Sequence, residues 1–430
     1  MRRCNGELGH SITMIENQAL IQTPLRRPMI MKVSMIAISG VCLLFLTANL
    51  SPAQDVDASA IQDSPHESSK ATDPASVLSP DEWHQVDAAA NKALSWLAAQ
   101  QQVDGSFPTL DLGQPGITAL CMMAFISHGH VPGDGRYGQT LERATDFVLS
   151  CQKQNGLITM IGPDGPRITR NVEREVGASA VYNHAISGLV LSELYGMSED
   201  KRAPKIQAVI NKALVTSLKM QRWPKGKPDD RGGWRYLYDE SNLSDSDLSI
   251  TGWELMFLRS ARNAGFNVPK EPIDQAVEYV QRCYSKRYGV FQYITFDEDH
   301  RSRGMAGAGI LALAHAGFHG APAAQQSGEW LLRHNFDRYN ALITFNPDSP
   351  HERYHYSLLM CCQGMYQLGG RYWEEFFPRT VQTLLENQQA DGSWPADKHW
   401  RDNQFGNAYT TALVVIALGA PNQLLPIFQR

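Results

Sequence analysis

A short phrase recurs along this chain of 430 residues. Gln388-Gln389-Ala390-Asp391-Gly392-Ser393-Trp394 closes one helical stretch, and Ala408-Tyr409-Thr410-Thr411-Ala412-Leu413 opens the next. Near the start, Gln101-Gln102-Val103-Asp104-Gly105-Ser106-Phe107 precedes Gly116-Ile117-Thr118-Ala119-Leu120 in the same way. Weaker copies are Gln152-Lys153-Gln154-Asn155-Gly156, Gln221 with Arg231-Gly232-Gly233-Trp234, and Gln281 with Tyr288-Gly289-Val290-Phe291. The unit is a helix ending in Gln, a tight Gly turn, an aromatic, and a second helix rich in Ala and Leu. Units roughly 50 residues apart mean an array of one repeated supersecondary structure.

Apolar periodicity and Gly/Pro punctuation mark about twelve helices, which pair as six hairpins. The pairs are roughly 81–102 with 116–128, 138–154 with 177–196, 203–222 with 247–264, 272–284 with 302–316, 322–334 with 353–368, and 371–388 with 406–419. First members carry charge, as in Lys201 to Lys219. Second members are poor in charge and rich in small residues, as in Met305 to Ala314. A helix apolar on most faces is buried. The expected fold is therefore all-α, an α6/α6 toroid with an inner and an outer ring around a funnel. Gly supplies a positive φ at the end of each outer helix. The repeat's Gln caps neighbouring backbone groups, so these residues read as architecture.

From about Asp81 to the C-terminus the phrase resembles the QW-type repeat of terpenoid cyclases (squalene–hopene cyclases) and of protein prenyltransferase β subunits. That resemblance implies the α/α toroid. The same fold carries complement-type thioester domains and some polysaccharide-degrading enzymes, and fold alone does not fix function.

Lys32 precedes an apolar run, Met35 to Leu46, and Ser51-Pro52-Ala53 offers small residues for cleavage. The run is too short to span a membrane and fits a secretory signal. Residues 1–53 are thus expected to be a targeting segment, with Met29 or Met31 as an alternative start. Residues 54–80, rich in Asp, Ser, Ala and Pro, read as a disordered linker, and 81–430 as the toroid. The implied location is periplasmic or secreted. A net charge of −5 points to no nucleic-acid or anionic-membrane partner. Cys121, Cys151, Cys283, Cys361 and Cys362 are odd in number and lie in helical patterns, so they read as buried thiols.

Loops entering inner helices line the mouth of such a ring and hold the candidate site residues. Asp245-Ser246-Asp247 precedes an inner helix. It matches the D-x-D-D acid motif of squalene–hopene cyclases except that Leu248 replaces the last Asp. The resemblance implies Asp247 as proton donor and Asp245 as its partner. The alternative is that Asp247 only caps the helix, in which case Asp247→Asn costs little stability and Asp247→Ala about 1 kcal/mol. Further candidates for ligand binding are Tyr182, His184, Trp253, Arg303, Tyr354, His355, Asn407 and Tyr409. His184 reads equally as a hydrogen-bonded core histidine. Prenyltransferase zinc needs an Asp-x-Cys pair, which the chain lacks, and His355 and Cys362 lie about 10 Å apart along a helix. No metal or cofactor is therefore implied. No Gly-Cys-Gly-Glu-Gln thioester sequence occurs. Asp229-Asp230-Arg231 and Asp297-Glu298-Asp299-His300 could serve sugar chemistry or form solvated turns.

The leading expectation is a non-cyclase toroid that binds an apolar small molecule, a polymer or a protein in its funnel. The alternatives are an acid-initiated polyprenyl cyclase using Asp247, and a polysaccharide lyase or hydrolase.

Overall fold

The computed structural model describes residues 74–197, 201–238, 244–296, 301–343 and 352–430. The targeting segment, most of the linker, and the cluster Asp297 to His300 lie outside them. Thirteen α-helices occur among the described residues. They are α1 (Pro80–Gln100), α2 (Gly116–Ile126), α3 (Gly138–Ser150), α4 (Arg174–Met197), α5 (Ala203–Gln221), α6 (Leu248–Asn263) and α7 (Lys270–Arg282), followed by α8 (Arg303–His315), α9 (Pro322–Arg333), α10 (Tyr354–Leu368), α11 (Gly370–Glu386), α12 (Trp400–Asn403) and α13 (Gly406–Leu418). A small antiparallel ladder pairs Tyr284–Ser285 with Val290–Phe291.

Helices α2, α4, α6, α8, α10 and α13 pack side by side in chain order, and α13 packs on α2, closing a ring. Helices α1, α3, α5, α7, α9 and α11 lie against that ring from outside. The all-α toroid expected from the repeats is the observed architecture. Composition explains which helix goes where. Along α1 the buried residues Val86, Ala89, Ala90, Ala93, Leu94 and Leu97 form one stripe, as on a surface helix. Every residue of α2 and of α8 is buried. Small residues let inner helices meet backbone to backbone: a Cβ on Gly307 of α8 would sit 2.6 Å from the Cys361 nitrogen of α10.

The repeat phrase ties each unit to the next. The side-chain amide of Gln101 donates to Gly105 O of its own turn and to Thr140 O of α3. Gln152 donates to Gly156 O and Val209 O, and Gln221 to Gly232 O and Pro272 O. Gln388 donates to Gly392 O and to Ala89 O of α1, which joins the last unit to the first. The turn glycines have positive φ: Gly105 at 93°, Gly156 at 96°, Gly232 at 88° and Gly392 at 101°. A Cβ at Gly232 would also lie 2.1 Å from the Gln275 carbonyl oxygen of α7. In three units the aromatic after the turn donates its backbone N–H to an inner-helix threonine: Phe107 to Thr118, Trp234 to Thr251 and Trp394 to Thr411.

The chain entering α1 is structured earlier than the linker boundary at 80. Pro74–Val77 form a 3-10 turn. The indole N–H groups of Trp83 and Trp373 donate to Ala75 O and Pro74 O. Ser79 then caps α1 reciprocally with Glu82. The five cysteines are free, four of them buried. Burial pushes the Cys283 thiol up to about 12, consistent with thiols acting as small hydrophobes.

Glu254 of α6 is wholly buried. Burial pushes its carboxyl up to about 8, with Ser217 opposing that shift. An acid whose folded pKa is raised binds its proton more tightly when folded. Stability is then greatest below the unfolded value of about 4.5 and falls as pH rises toward about 8. Urea denaturation across that window should show this loss, and Glu254→Gln should flatten it. A Gln variant that keeps the full slope would exclude Glu254 as its source.

Candidate functional site

At one end of the ring Tyr182 of α4 bonds Ser249 in the first turn of α6, and Tyr356 in the first turn of α10 lies beside Trp253 of α6. The loops that enter the inner helices lie here, and this end is termed the mouth. The loop before α6 places Asp247 at its cap. Asp247 Oδ1 accepts from Ile250 N at 2.9 Å and from Ser249 Oγ at 2.6 Å. Its Oδ2 accepts from Arg235 Nη1 at 3.0 Å. Asp247 is inaccessible to solvent, and the Arg235 side chain is 5% exposed. Arg235 also donates to the Tyr293 hydroxyl at 2.9 Å and lies over the rings of Tyr236 and Tyr293. Tyr236 and Tyr293 share a short hydroxyl contact, and Tyr182 bonds Ser249 at 2.6 Å.

These tyrosines are half-buried, with Tyr356 beside Trp253 at 6.5 Å between ring centroids. Burial pushes the hydroxyls of Tyr182, Tyr236, Tyr293 and Tyr356 up, and the charge of Asp247 adds to the rise in each. They therefore stay protonated and offer O–H groups beside aromatic faces. Tyr356 occupies the space that a side chain at Gly304 would fill, 2.9 Å from its would-be Cβ.

A second group lies on the α10–α13 side. His355 Nδ1 pairs with Asp397 Oδ2 at 2.8 Å, and Nε2 with the Tyr339 hydroxyl at 2.8 Å. Arg353 Nη1 reaches Asp402 Oδ1 at 3.1 Å and the His399 ring, and the Tyr409 hydroxyl donates to Asp402 Oδ2 at 3.1 Å. Burial would raise Asp397, but the His355 hydrogen bond and charge hold it below the usual carboxylate range. Burial raises Asp402, against the pull of Arg353, and the charge of Asp397 adds to the rise.

The remaining sequence candidates fall elsewhere. Asp245 is no partner of Asp247: it pairs with Arg170 at 2.9 Å and accepts from Gly226 N, pinning its loop. His184 belongs to the framework. Its Nδ1 accepts from Ile158 N, standing where three other units use threonine, and Nε2 meets Ser217. Burial lowers it to about 3. Arg303 is a core residue, 2% exposed. It pairs with Glu352 at 2.9 Å, donates to Asn335 O and Ala341 O, and lies over Phe336. Tyr354 is fully buried against Phe336. Asn407 contacts Gln389 of the last repeat turn. Asp230 is a core residue that accepts from Ser244 and from Asp245 N. Of the predicted residues, Asp247, Tyr182, Trp253, His355 and Tyr409 belong to the two mouth groups. Sequence reasoning missed Arg235, Tyr236, Tyr293, Tyr339, Arg353, Asp397 and Asp402. The Arg-aromatic run after Trp234, and Asp397 three residues after Trp394, sit in the mouth loops and carried the available signal.

Among the described residues, no group of three or more His, Cys, Asp or Glu is placed to hold a metal ion, and no helix is long and apolar enough to cross a membrane.

By sequence, the chain matches no protein-family model and no curated protein. By structure, it resembles an alanine variant of the type II terpene cyclase MstE from Scytonema in complex with merosterolic acid A, at 16% identity and TM-score 0.51, covering 80% of this chain and 99% of that one. It also resembles a glycosidase, at 12% identity and TM-score 0.53, covering 81% and 100%. A third is a GH76 α-mannanase of Bacteroides thetaiotaomicron, at 9% identity and TM-score 0.52, covering 79% and 96%. The chain therefore has the terpenoid cyclase-like α/α toroid fold. At these identities the likeness is one of fold, and chemistry must come from the site.

Proposed function

We propose that the toroid binds a neutral, hydroxyl-bearing ligand at its mouth, of the kind a sugar chain presents, and does not initiate terpene cyclisation. One observation carries this reading: both oxygens of Asp247 are committed, one to the α6 cap and one to Arg235. With both oxygens so engaged and its side chain inaccessible to solvent, Asp247 presents no face to a substrate double bond. The mouth offers aromatic faces and protonated hydroxyls, and its titratable groups are engaged with one another as Arg235–Asp247, His355–Asp397 and Arg353–Asp402. That lining suits stacking and hydrogen bonding to a neutral polyol.

Calorimetry with glucan and mannan oligosaccharides should show saturable binding, weakened about tenfold by Tyr236→Ala. Squalene and geranylgeranyl-bearing substrates should be returned unchanged. Cyclic products from the wild-type chain would overturn the reading.

A second reading has its own observation. Asp402 is raised while nearby Asp397 is lowered. Environments that push two carboxyls apart are how acid and base roles are assigned in glycoside cleavage. On this reading Asp402 is the acid. Reducing-end release by the wild type, lost in a folded Asp402→Asn variant that still binds, would support it. Release undiminished in that variant would exclude Asp402.

The chain is further proposed to be exported, on the apolar run Met35 to Leu46 and the small residues after it. N-terminal sequencing from the native host should begin near Gln54. An intact chain recovered from the cytoplasm would contradict export.

A further inference from the structure

At the end of the ring opposite the mouth, the C-terminal segment after α13 crosses the inner helix ends. Asn422 donates to Ser127 O beyond α2, Gln367 of α10 donates to Phe428 O, and Ile427 N donates to Glu193 of α4. Beneath this segment lies a cavity of about 200 Å³. Its polar lining is Arg259 and Asn263 of α6, His315 at the end of α8, His319, Gln367 and Gln429. No carboxylate lines it. Water takes about 30 Å³ per molecule, so the space suits a small ion with some water.

Two side chains here lack what they need. His315 is 7% exposed, and beyond the Ile427 backbone its ring nitrogens find no hydrogen-bond partner among the described residues. Buried polar groups are nearly always bonded, so this exception asks for an explanation. Arg259 is half-buried; burial first, and then the neighbouring cation Arg262, lower it, and no ion pair reaches it among the described residues. His315 feels the charges of both Arg259 and His319, so the three groups converge. The nearby acid, Glu193, has its oxygens on Ser260 and Ile427 N and does not line the cavity. A helix C-terminus favours a cation, and this accounts for a charge near the end of α6. It does not account for a buried imidazole that reaches none of the helix-end carbonyls.

We propose that this cavity binds a small oxyanion, with Arg259 as the charge partner and His315 and His319 as N–H donors. Arg presents a fork that matches phosphate, sulfate or carboxylate oxygens. This proposal is independent of the ligand at the mouth.

The test titrates inorganic phosphate, sulfate and acetate separately into the full chain by calorimetry, with ionic strength held by chloride. Saturable binding of at least one is expected, and comparison of the three separates phosphate-type from carboxylate ligands. Arg259→Gln should weaken binding about tenfold or more. Arg262→Gln, exposed and outside the lining, should leave it unchanged. Should Arg259→Gln fail to fold, Arg259→Lys keeps the charge but loses the fork and is expected to weaken binding severalfold. No saturable signal with any of the three ions, or equal affinity in the folded Arg259 variant, would overturn the proposal.

Discussion

Asp247→Asn is expected to cost about 3–5 kcal/mol of stability, because it removes the charge that pairs with the buried Arg235 guanidinium. From sequence alone the same change looked nearly free, since Asn keeps an oxygen for the helix cap. The difference is Arg235, whose side chain is 5% exposed and 3.0 Å from Oδ2. Removing one member of a buried pair costs more than removing both. Arg235→Met alone should therefore also be costly, through the stranded carboxylate. The double variant Asp247→Asn/Arg235→Met should recover much of the loss, a coupling that a double-mutant cycle in urea measures. It keeps the α6 cap and replaces the charge by a flexible apolar chain. If Asp247→Asn alone cost under about 1 kcal/mol, the ion pair would contribute nothing, and Asp247 would again be available as an acid. The same experiment thus tests the fold's electrostatics and the reading of the mouth.

The contrast between those expectations shows where sequence reasoning reached. Gln101, Gly105 and Thr118 work within one unit and toward its neighbour, so a repeated local pattern exposes their role. The helices followed from periodicity for the same reason. Asp247 was legible as a cap because its cap partner, Ile250 N, is three residues away. Its ion-pair partner was not, because Arg235 lies 12 residues back in the loop after Trp234 and follows no helical spacing. His355 could be placed at the mouth, but its bond to Asp397 spans 42 residues and obeys no spacing rule. Arg303 looked like a mouth cation until Glu352, 49 residues on, claimed it in the core. His184 was read both ways. Its role becomes visible only when Ile158 N is seen to take the place of the aromatic N–H that meets threonine elsewhere.

Removing residues 371–430 should abolish cooperative folding. An open solenoid tolerates the loss of a terminal repeat, since each unit contacts only its neighbours. Here the last unit contacts the first. Helix α13 packs on both α1 and α2, Gln388 donates to Ala89 O at 2.8 Å, and Trp373 holds Pro74. Truncation would expose the wholly buried α2 along one side, together with the facing side of α10. Each large apolar side chain returned to water forfeits about 1.5–3 kcal/mol, and a few of them exceed the usual net stability of about 5–15 kcal/mol. Circular dichroism and sedimentation should find a non-cooperative or aggregating chain. A monomer that melts cooperatively near the full-length temperature would show that the ring does not depend on closure. A milder pair of variants separates closure from general damage. Gln388→Ala strips the closing junction of two hydrogen bonds, as Gln221→Ala does at an internal one. Unmet carbonyls cost about 1–3 kcal/mol each when buried. Equal losses in the two variants are expected, because the first and last units are then joined as firmly as any neighbours in the array. A much smaller loss for Gln388→Ala would mean that the ring is open at that seam in solution.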